Sequence, residues 1–185
     1  MASQLTAESV KKAVFEERFG RHGAFGPIRL KAAGEEVLVE GTIDRADIID
    51  ADGTERVRII DYKTGSVKDE EVEINDTNAA KIAEKVFGAS VKSRPKIALQ
   101  VEMYDMLAEK NGFLEGKKAV NSIYSMVRLF PDKVKEVERS WVFSVEVKTR
   151  LKSLLDEIND PSAPFKRTDD AETCKWCDFK IICGR

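Results

Sequence analysis

Two short segments, Gly41-Thr42-Ile43-Asp44-Arg45 and Ile59-Ile60-Asp61-Tyr62-Lys63-Thr64-Gly65, constrain the fold more than any other part of the chain. Side chains alternate across a strand, so Asp61 and Lys63 share one face while Ile60 and Tyr62 take the other. Residues Glu36 to Ile43 are mostly strand formers, and Ile48-Ile49-Asp50-Ala51-Asp52-Gly53 closes on a turn signal. Val57, Ile59 and Ile60 begin a return strand. Pairing the two arms around Asp52-Gly53 gives a hairpin that brings Asp44 beside Asp61.

Two carboxylates on one face suit a hard divalent cation such as Mg²⁺, which binds through oxygen and leaves room for phosphate and water. Such an ion polarises a phosphoryl oxygen and activates water. Lys63, two residues beyond Asp61, is placed to position that water and balance transition-state charge. The same residues would also serve as a plain cross-strand ion pair.

The remaining chain supplies a frame. Val10, Val14 and Phe15 at helical spacing predict a helix over 6–18. Strands are expected at 26–33, 36–49 and 55–63, and the acidic stretch 65–78 reads as an exposed loop. A helix over 78–87 ends at Gly88, and a second over 96–110 carries an apolar stripe of Leu99, Met103, Met106 and Leu107. Gln100 and Tyr104 lie one turn apart on a neighbouring face of that helix. After Asn111-Gly112, strands at 119–129 and 136–144 form a hairpin around Pro131-Asp132, and a helix covers 145–158. Gly112 to Lys118 has glycines one residue too close for a phosphate-binding P-loop and lacks its Ser/Thr.

A chain of 185 residues with 42% hydrophobic and 35% charged residues suits one soluble domain. No apolar run approaches a membrane span, and Met1-Ala2-Ser3-Gln4 does not resemble a signal peptide, so a cytoplasmic protein with no membrane partner is expected. The net charge is −2, low for a protein that grips a polyanion over a long footprint. Nucleic-acid contact would therefore fall to local patches: Lys92, Arg94 and Lys96, then Lys117 and Lys118, then Lys166, Arg167, Lys175 and Lys180, each of which could equally be a solvated face.

All three cysteines lie near the end, as Cys174-Lys175-Trp176-Cys177 and Cys183. A four-iron cluster wants four thiolates. A zinc site would need a fourth ligand such as His22, a disulfide would leave an odd thiol, and three reduced thiols without metal form the remaining alternative.

Taken in order, the Asp44 segment, Ile60-Asp61-Tyr62-Lys63-Thr64-Gly65, Gln100-Val101-Glu102-Met103-Tyr104 and the cysteines resemble the PD-(D/E)xK nuclease domain of the RecB and AddB type, in its iron–sulfur variant, over roughly residues 25–185. The resemblance implies an α/β, restriction-endonuclease-like core over 1–165, with a central mixed sheet flanked by helices and a cysteine-containing tail over 166–185 packed on it. It implies Mg²⁺- or Mn²⁺-dependent hydrolysis of DNA, exonucleolytic on single strands. Asp44, Asp61 and the carbonyl of Tyr62 would be metal ligands, Lys63 the catalytic lysine, and Gln100 and Tyr104 the motif bordering the active site. Cys174, Cys177 and Cys183 would hold a 4Fe–4S cluster, screened by Trp176 and Phe179. A helicase partner chain and upstream domains of the same polypeptide would be partners. A non-catalytic DNA-binding or assembly module with a degenerate metal site is the alternative.

Two departures stand beside the resemblance. Relatives carry a histidine well upstream of the first aspartate, whereas His22, the single histidine, reads as a loop residue. The fourth cysteine is also missing. Both are expected before Met1, in a longer helicase-nuclease polypeptide.

Overall fold

The computed structural model describes residues 9–51, 53–88, 94–127, 135–137, 140–164 and 166–185. In chain order these form β1 (Ser9–Phe19), β2 (Ile28–Ala32), β3 (Glu35–Val39), β4 (Gly41–Ala51), β5 (Thr54–Lys63), α1 (Ala79–Phe87), α2 (Lys96–Lys110), β6 (Lys118–Ser125), β7 (Lys135–Val137), α3 (Trp141–Asn159) and the short α4 (Ala171–Cys174). The main sheet has the order β1-β4-β5-β6-β7, while β2 and β3 form a separate hairpin. β5 and β6 run parallel and the other pairs are antiparallel, so the sheet is mixed. This is the expected α/β, restriction-endonuclease-like architecture.

The β4–β5 hairpin forms where alternation placed it. Arg45 pairs with Ile60 and Ala51 with Thr54, so the next step in register sets Asp44 against Asp61. At the turn, Gly53 has φ +77° and donates its N–H to Asp50 Oδ1 at 2.9 Å. A positive φ there is the reason for glycine. Asp52, at the turn, and Pro131-Asp132, the expected turn of the second hairpin, lie outside the described residues.

The helix expected over 6–18 is overturned: the described part of that segment is strand β1, paired with β4 from Ser9 against Asp50 to Phe19 against Gly41. Its helically spaced apolar residues found no core to face, since Val10 and Phe15 are 49% and 59% exposed. Pairing along the edge of β4 satisfies the backbone groups of both strands, and tertiary context of this kind overrides a weak helical pattern. The register shifts between Val10 and Lys12, and Glu16 has φ +51°. A bulge and a kink of this sort break strict alternation, which helps explain the helical look of the sequence.

Three further boundaries move. The strand expected over 36–49 breaks at Glu40 into β3 and β4, which belong to different sheets. The 65–78 stretch is not simply exposed: Val67, Val72 and Ile74 are buried, with Val67 and Val72 packing among Ile97, Val101, Ile123 and Val137. The strand expected over 136–144 is short, because α3 already begins at Trp141, where Ser140 caps it by accepting the Phe143 N–H at 3.1 Å. A serine cap satisfies an otherwise orphaned helix N–H.

α2 packs on the sheet face that carries Ala46, Val57 and Ile59, contributing Tyr104, Leu107 and Ala108 to one buried cluster. α1 meets α3 in a second cluster built on Ile82, Val86, Phe143 and Val147. Among the described residues no helix is long and apolar enough to cross a membrane.

Candidate active site

The end of the β4–β5 hairpin and the first half of α2 converge on Asp61. On the strand side, the N–H of Tyr62 donates to Asp44 Oδ2 at 3.2 Å, which ties the first carboxylate to the second strand. Asp61 is almost fully buried, at 2% exposure. Lys63, two residues on and therefore on the same face, brings Nζ within 2.8 Å of Asp61 Oδ2.

α2 completes a ring. Lys63 Nζ donates to Gln100 Oε1 at 2.6 Å, Gln100 Nε2 donates to Tyr104 OH at 2.8 Å, and Tyr104 OH donates to Asp61 Oδ1 at 3.3 Å. With the Lys63–Asp61 ion pair, four side chains from β5 and α2 close on one another. The four-residue spacing of Gln100 and Tyr104 stacks them on one helix face, which is why the glutamine can reach both lysine and phenol. Gln100 acts as an adaptor, accepting from the ammonium with its carbonyl and donating with its amide.

The electrostatics of this ring follow from burial. Loss of water pushes the Asp61 carboxyl above its usual value, Lys63 opposes that rise, and the Asp44 charge adds to it. Burial also raises the Tyr104 phenol, so its hydroxyl keeps its proton and remains a donor to Asp61.

These residues fit a hard cation. Asp61 Oδ2 is buried, and the Lys63 ammonium 2.8 Å away leaves the two carboxylates with one cation between them and room in charge for a second. The Asp44 charge adds to the cost of ionising Asp61, which a divalent ion between the two would relieve. Two oxygens are a minimal protein set for Mg²⁺, which retains waters and substrate phosphate in its shell. Among the described residues no third His, Cys, Asp or Glu joins them. His22 lies in the turn after β1 and is not part of this group.

Arg45, the neighbour of Asp44, and the basic patches expected to meet nucleic acid fall elsewhere. Arg45 is held by the buried Asp47 through Nε to Oδ1 at 2.7 Å and Nη2 to Oδ2 at 2.8 Å, and its Nη1 reaches Tyr62 OH at 3.2 Å. Arg94 donates twice to the Gly88 carbonyl, Lys117 pairs with Glu115, and Arg167 donates to the Cys183 carbonyl. Lys96 and Lys118 are exposed, as are Lys166, Lys175 and Lys180, and Lys92 lies outside the described residues. Cys174, Cys177 and Cys183 are free thiols and do not converge as a three-ligand group. With three cysteines in the chain, the described residues do not by themselves make a four-thiolate site. Trp176 and Phe179 are exposed.

The sequence does not announce a cleft of about 400 Å³ along α2, bordered by Gly41, Leu99, Met103 and Leu107 and sharing Gln100 and Tyr104 with the ring. Its only sequence signal is that Leu99 and Met103 flank the Gln100–Tyr104 pair on the helix.

The PD-(D/E)XK nuclease superfamily profile matches residues 2–184. Among curated proteins, an ATP-dependent helicase/deoxyribonuclease component of Clostridioides difficile (strain 630) is 24% identical over 99% of this chain and 20% of its own length. One of the same description from Alkaliphilus metalliredigens (strain QYMF) is 28% identical over 95% of this chain and 20% of its own. A third, from Alkaliphilus oremlandii (strain OhILAs), is 42% identical over 32% of this chain and 6% of its own. The chain thus spans at most a fifth of the length of these relatives.

Proposed function

The chain belongs to the PD-(D/E)XK nuclease superfamily, and from that premise we propose that it hydrolyses DNA phosphodiester bonds with Mg²⁺ or Mn²⁺, acting exonucleolytically on single strands within a repair helicase-nuclease. The observation that carries this reading is the closed ring of Lys63, Gln100, Tyr104 and Asp61 beside Asp44. A structural ion pair needs no such constraint, whereas a reaction site does, because reacting groups held in one geometry avoid an entropic cost at the transition state.

Asp44, Asp61 and the Tyr62 carbonyl are the proposed ligands of the cation. When bound, the ion would polarise a phosphoryl oxygen and acidify the attacking water. Lys63, fixed by Gln100, presents its ammonium to the water and to the negative charge that grows on phosphate. Tyr104 holds Asp61 in one rotamer through its hydroxyl. α2 excludes bulk water from the inner side of Asp61, which strengthens each of these interactions.

We propose a helicase partner and upstream domains of the same polypeptide; the names of the relatives, and the chain's covering a fifth of their length, support this reading. We also read the cysteine tail as three of four cluster thiolates, the fourth coming from another polypeptide segment. Anaerobic reconstitution with iron and sulfide, followed by a visible spectrum, tests that reading; no absorption from the longer polypeptide that carries the upstream segment would reject it.

Incubation with labelled single-stranded DNA, with and without Mn²⁺, tests the nuclease reading on the wild type and on Asp61→Ala and Lys63→Ala. Metal-dependent cleavage abolished in both variants is expected. Cleavage persisting in both variants rejects this site as its source, and cleavage never appearing with the helicase partner present favours the non-catalytic module instead.

A further inference from the structure

The cleft between α2 and the start of β4 is assigned no role by the ring of catalytic candidates, although it shares a wall with it. Gln100 and Tyr104 line both. Its other walls are apolar: Leu99, Met103 and Leu107, each one helical turn from the next, line it along α2, with Gly41 at the start of β4. Its volume, about 400 Å³, lies in the range of small-ligand pockets.

Where the cleft meets β4, Gly41 lets Leu107 of α2 pack close against the strand. A Cβ placed on Gly41 would lie 2.8 Å from Leu107 Cδ1, a methyl of a buried residue. Gly41 is not one of the glycines with a positive φ, so close approach and not backbone freedom is what glycine supplies there.

The mouth carries mixed charge. Lys96 is exposed at the first turn of α2, and Arg94 borders the cleft with its guanidinium anchored on the Gly88 carbonyl. Glu40, held by the Arg21 N–H at 3.1 Å, places a carboxylate on the opposite border. A carboxylate repels phosphate but accepts from the N–H groups of a nucleobase edge, while Lys96 attracts the backbone.

We propose that this cleft receives one unstacked nucleobase of a single-stranded nucleic acid, whose adjoining phosphate lies at Asp61 and Lys63; the second half of the statement rests on the nuclease reading. A base has a flat apolar face that any apolar wall accepts, and the thioether of Met103 adapts to purine and pyrimidine alike. A base inside a duplex is paired and stacked and cannot enter without being extruded. The cleft therefore makes the site selective for single strands without reading sequence.

Two measurements separate this proposal from the reading beneath it. Anisotropy in EDTA compares binding of a labelled dT strand of roughly 12 nucleotides, within the site sizes usual for single-strand binders, with an abasic strand of the same length and charge. The wild-type chain is expected to bind the abasic strand about tenfold more weakly, the scale of one lost stacking contact. Met103→Asn should bind the dT strand as weakly as wild type binds the abasic one, with no further loss on the abasic strand, and Met103→Leu should retain the preference. Lys96→Glu, on the exposed rim, should weaken both strands alike and lower the salt slope by about one. Equal affinity of the wild type for the two strands, or no affinity for either, overturns the subsite. Cleavage in Mn²⁺ is scored separately: base-dependent binding without cleavage sinks the nuclease reading and leaves the subsite, and cleavage without base dependence does the reverse.

Discussion

Lys63 donates a 2.6 Å hydrogen bond to Gln100, so the ammonium proposed to act on phosphate is aimed by a helix 37 residues away in sequence. The glutamine in turn holds Tyr104, and Tyr104 holds Asp61. Gln100 is thus a positioning residue. Gln100→Leu should lower kcat about 10- to 100-fold, in the range seen when outer partners of a metal site are removed, with Tm nearly unchanged. Gln100→Glu should recover part of the loss, since its carboxylate can still accept from Lys63. Steady-state kinetics in Mn²⁺ with thermal melts on the same samples check this.

Asp61 contributes instability to the metal-free chain. A carboxyl whose folded pKa is raised binds protons more tightly folded than unfolded, so stability rises as pH falls through the raised value and levels off below the unfolded value near 3.8. Asn mimics the protonated state. Asp61→Asn should therefore melt higher than wild type at about pH 7 in EDTA, with the gap closing toward about pH 3, and each kcal/mol relieved is worth roughly 2–4 °C. Added Mn²⁺ should raise the Tm of the wild type and leave the variant nearly unmoved.

The Arg45–Asp47 pair is a structural bond. Asp47 is 1% exposed and accepts two hydrogen bonds from one guanidinium. Arg45→Met leaves a buried carboxylate without its partner and should cost about 3–5 kcal/mol in urea unfolding. Arg45→Met combined with Asp47→Leu should recover most of that loss, because no charge then remains to be compensated.

Asp156 fastens α3 to the β2–β3 hairpin. Its Oδ1 accepts the Ala33 N–H at 2.8 Å, at a turn where Ala33 and Gly34 have φ +49° and +85°. The Lys152 ammonium, and then that N–H, hold the Asp156 carboxyl below its ordinary value. A depressed carboxyl adds stability that is fully present above its unfolded pKa near 3.8 and is lost as pH falls through the lower folded value. Asp156→Ala should thus be less stable than wild type at about pH 7, with the gap narrowing as pH falls below the unfolded value near 3.8, by urea titration.

Much of the candidate site was legible in sequence because its geometry is local. Alternation placed Asp61 and Lys63 on one face, the turn at Gly53 fixed the partner of Asp61 as Asp44, and a four-residue spacing put Gln100 and Tyr104 together. β1 was not legible: Val10, Val14 and Phe15 satisfy helical spacing, and only the availability of the β4 edge makes that segment a strand. The burial of Val67, Val72 and Ile74 was hidden for a related reason, since three isolated apolar residues among acids show no period until the helix and strands that cover them are assembled.

By itself, then, the sequence determined the central hairpin, the two carboxylates, the lysine and the face of α2 that meets them, because each depends on spacings of two to four residues along one element. Tertiary structure alone decided that these elements close into a hydrogen-bonded ring around a buried Asp61, and that α2 leaves an apolar cleft beside Gly41. Those outcomes depend on how far apart two elements settle, and that distance is set by packing across the whole core, where a single missing Cβ or a single buried oxygen changes what the surface can hold.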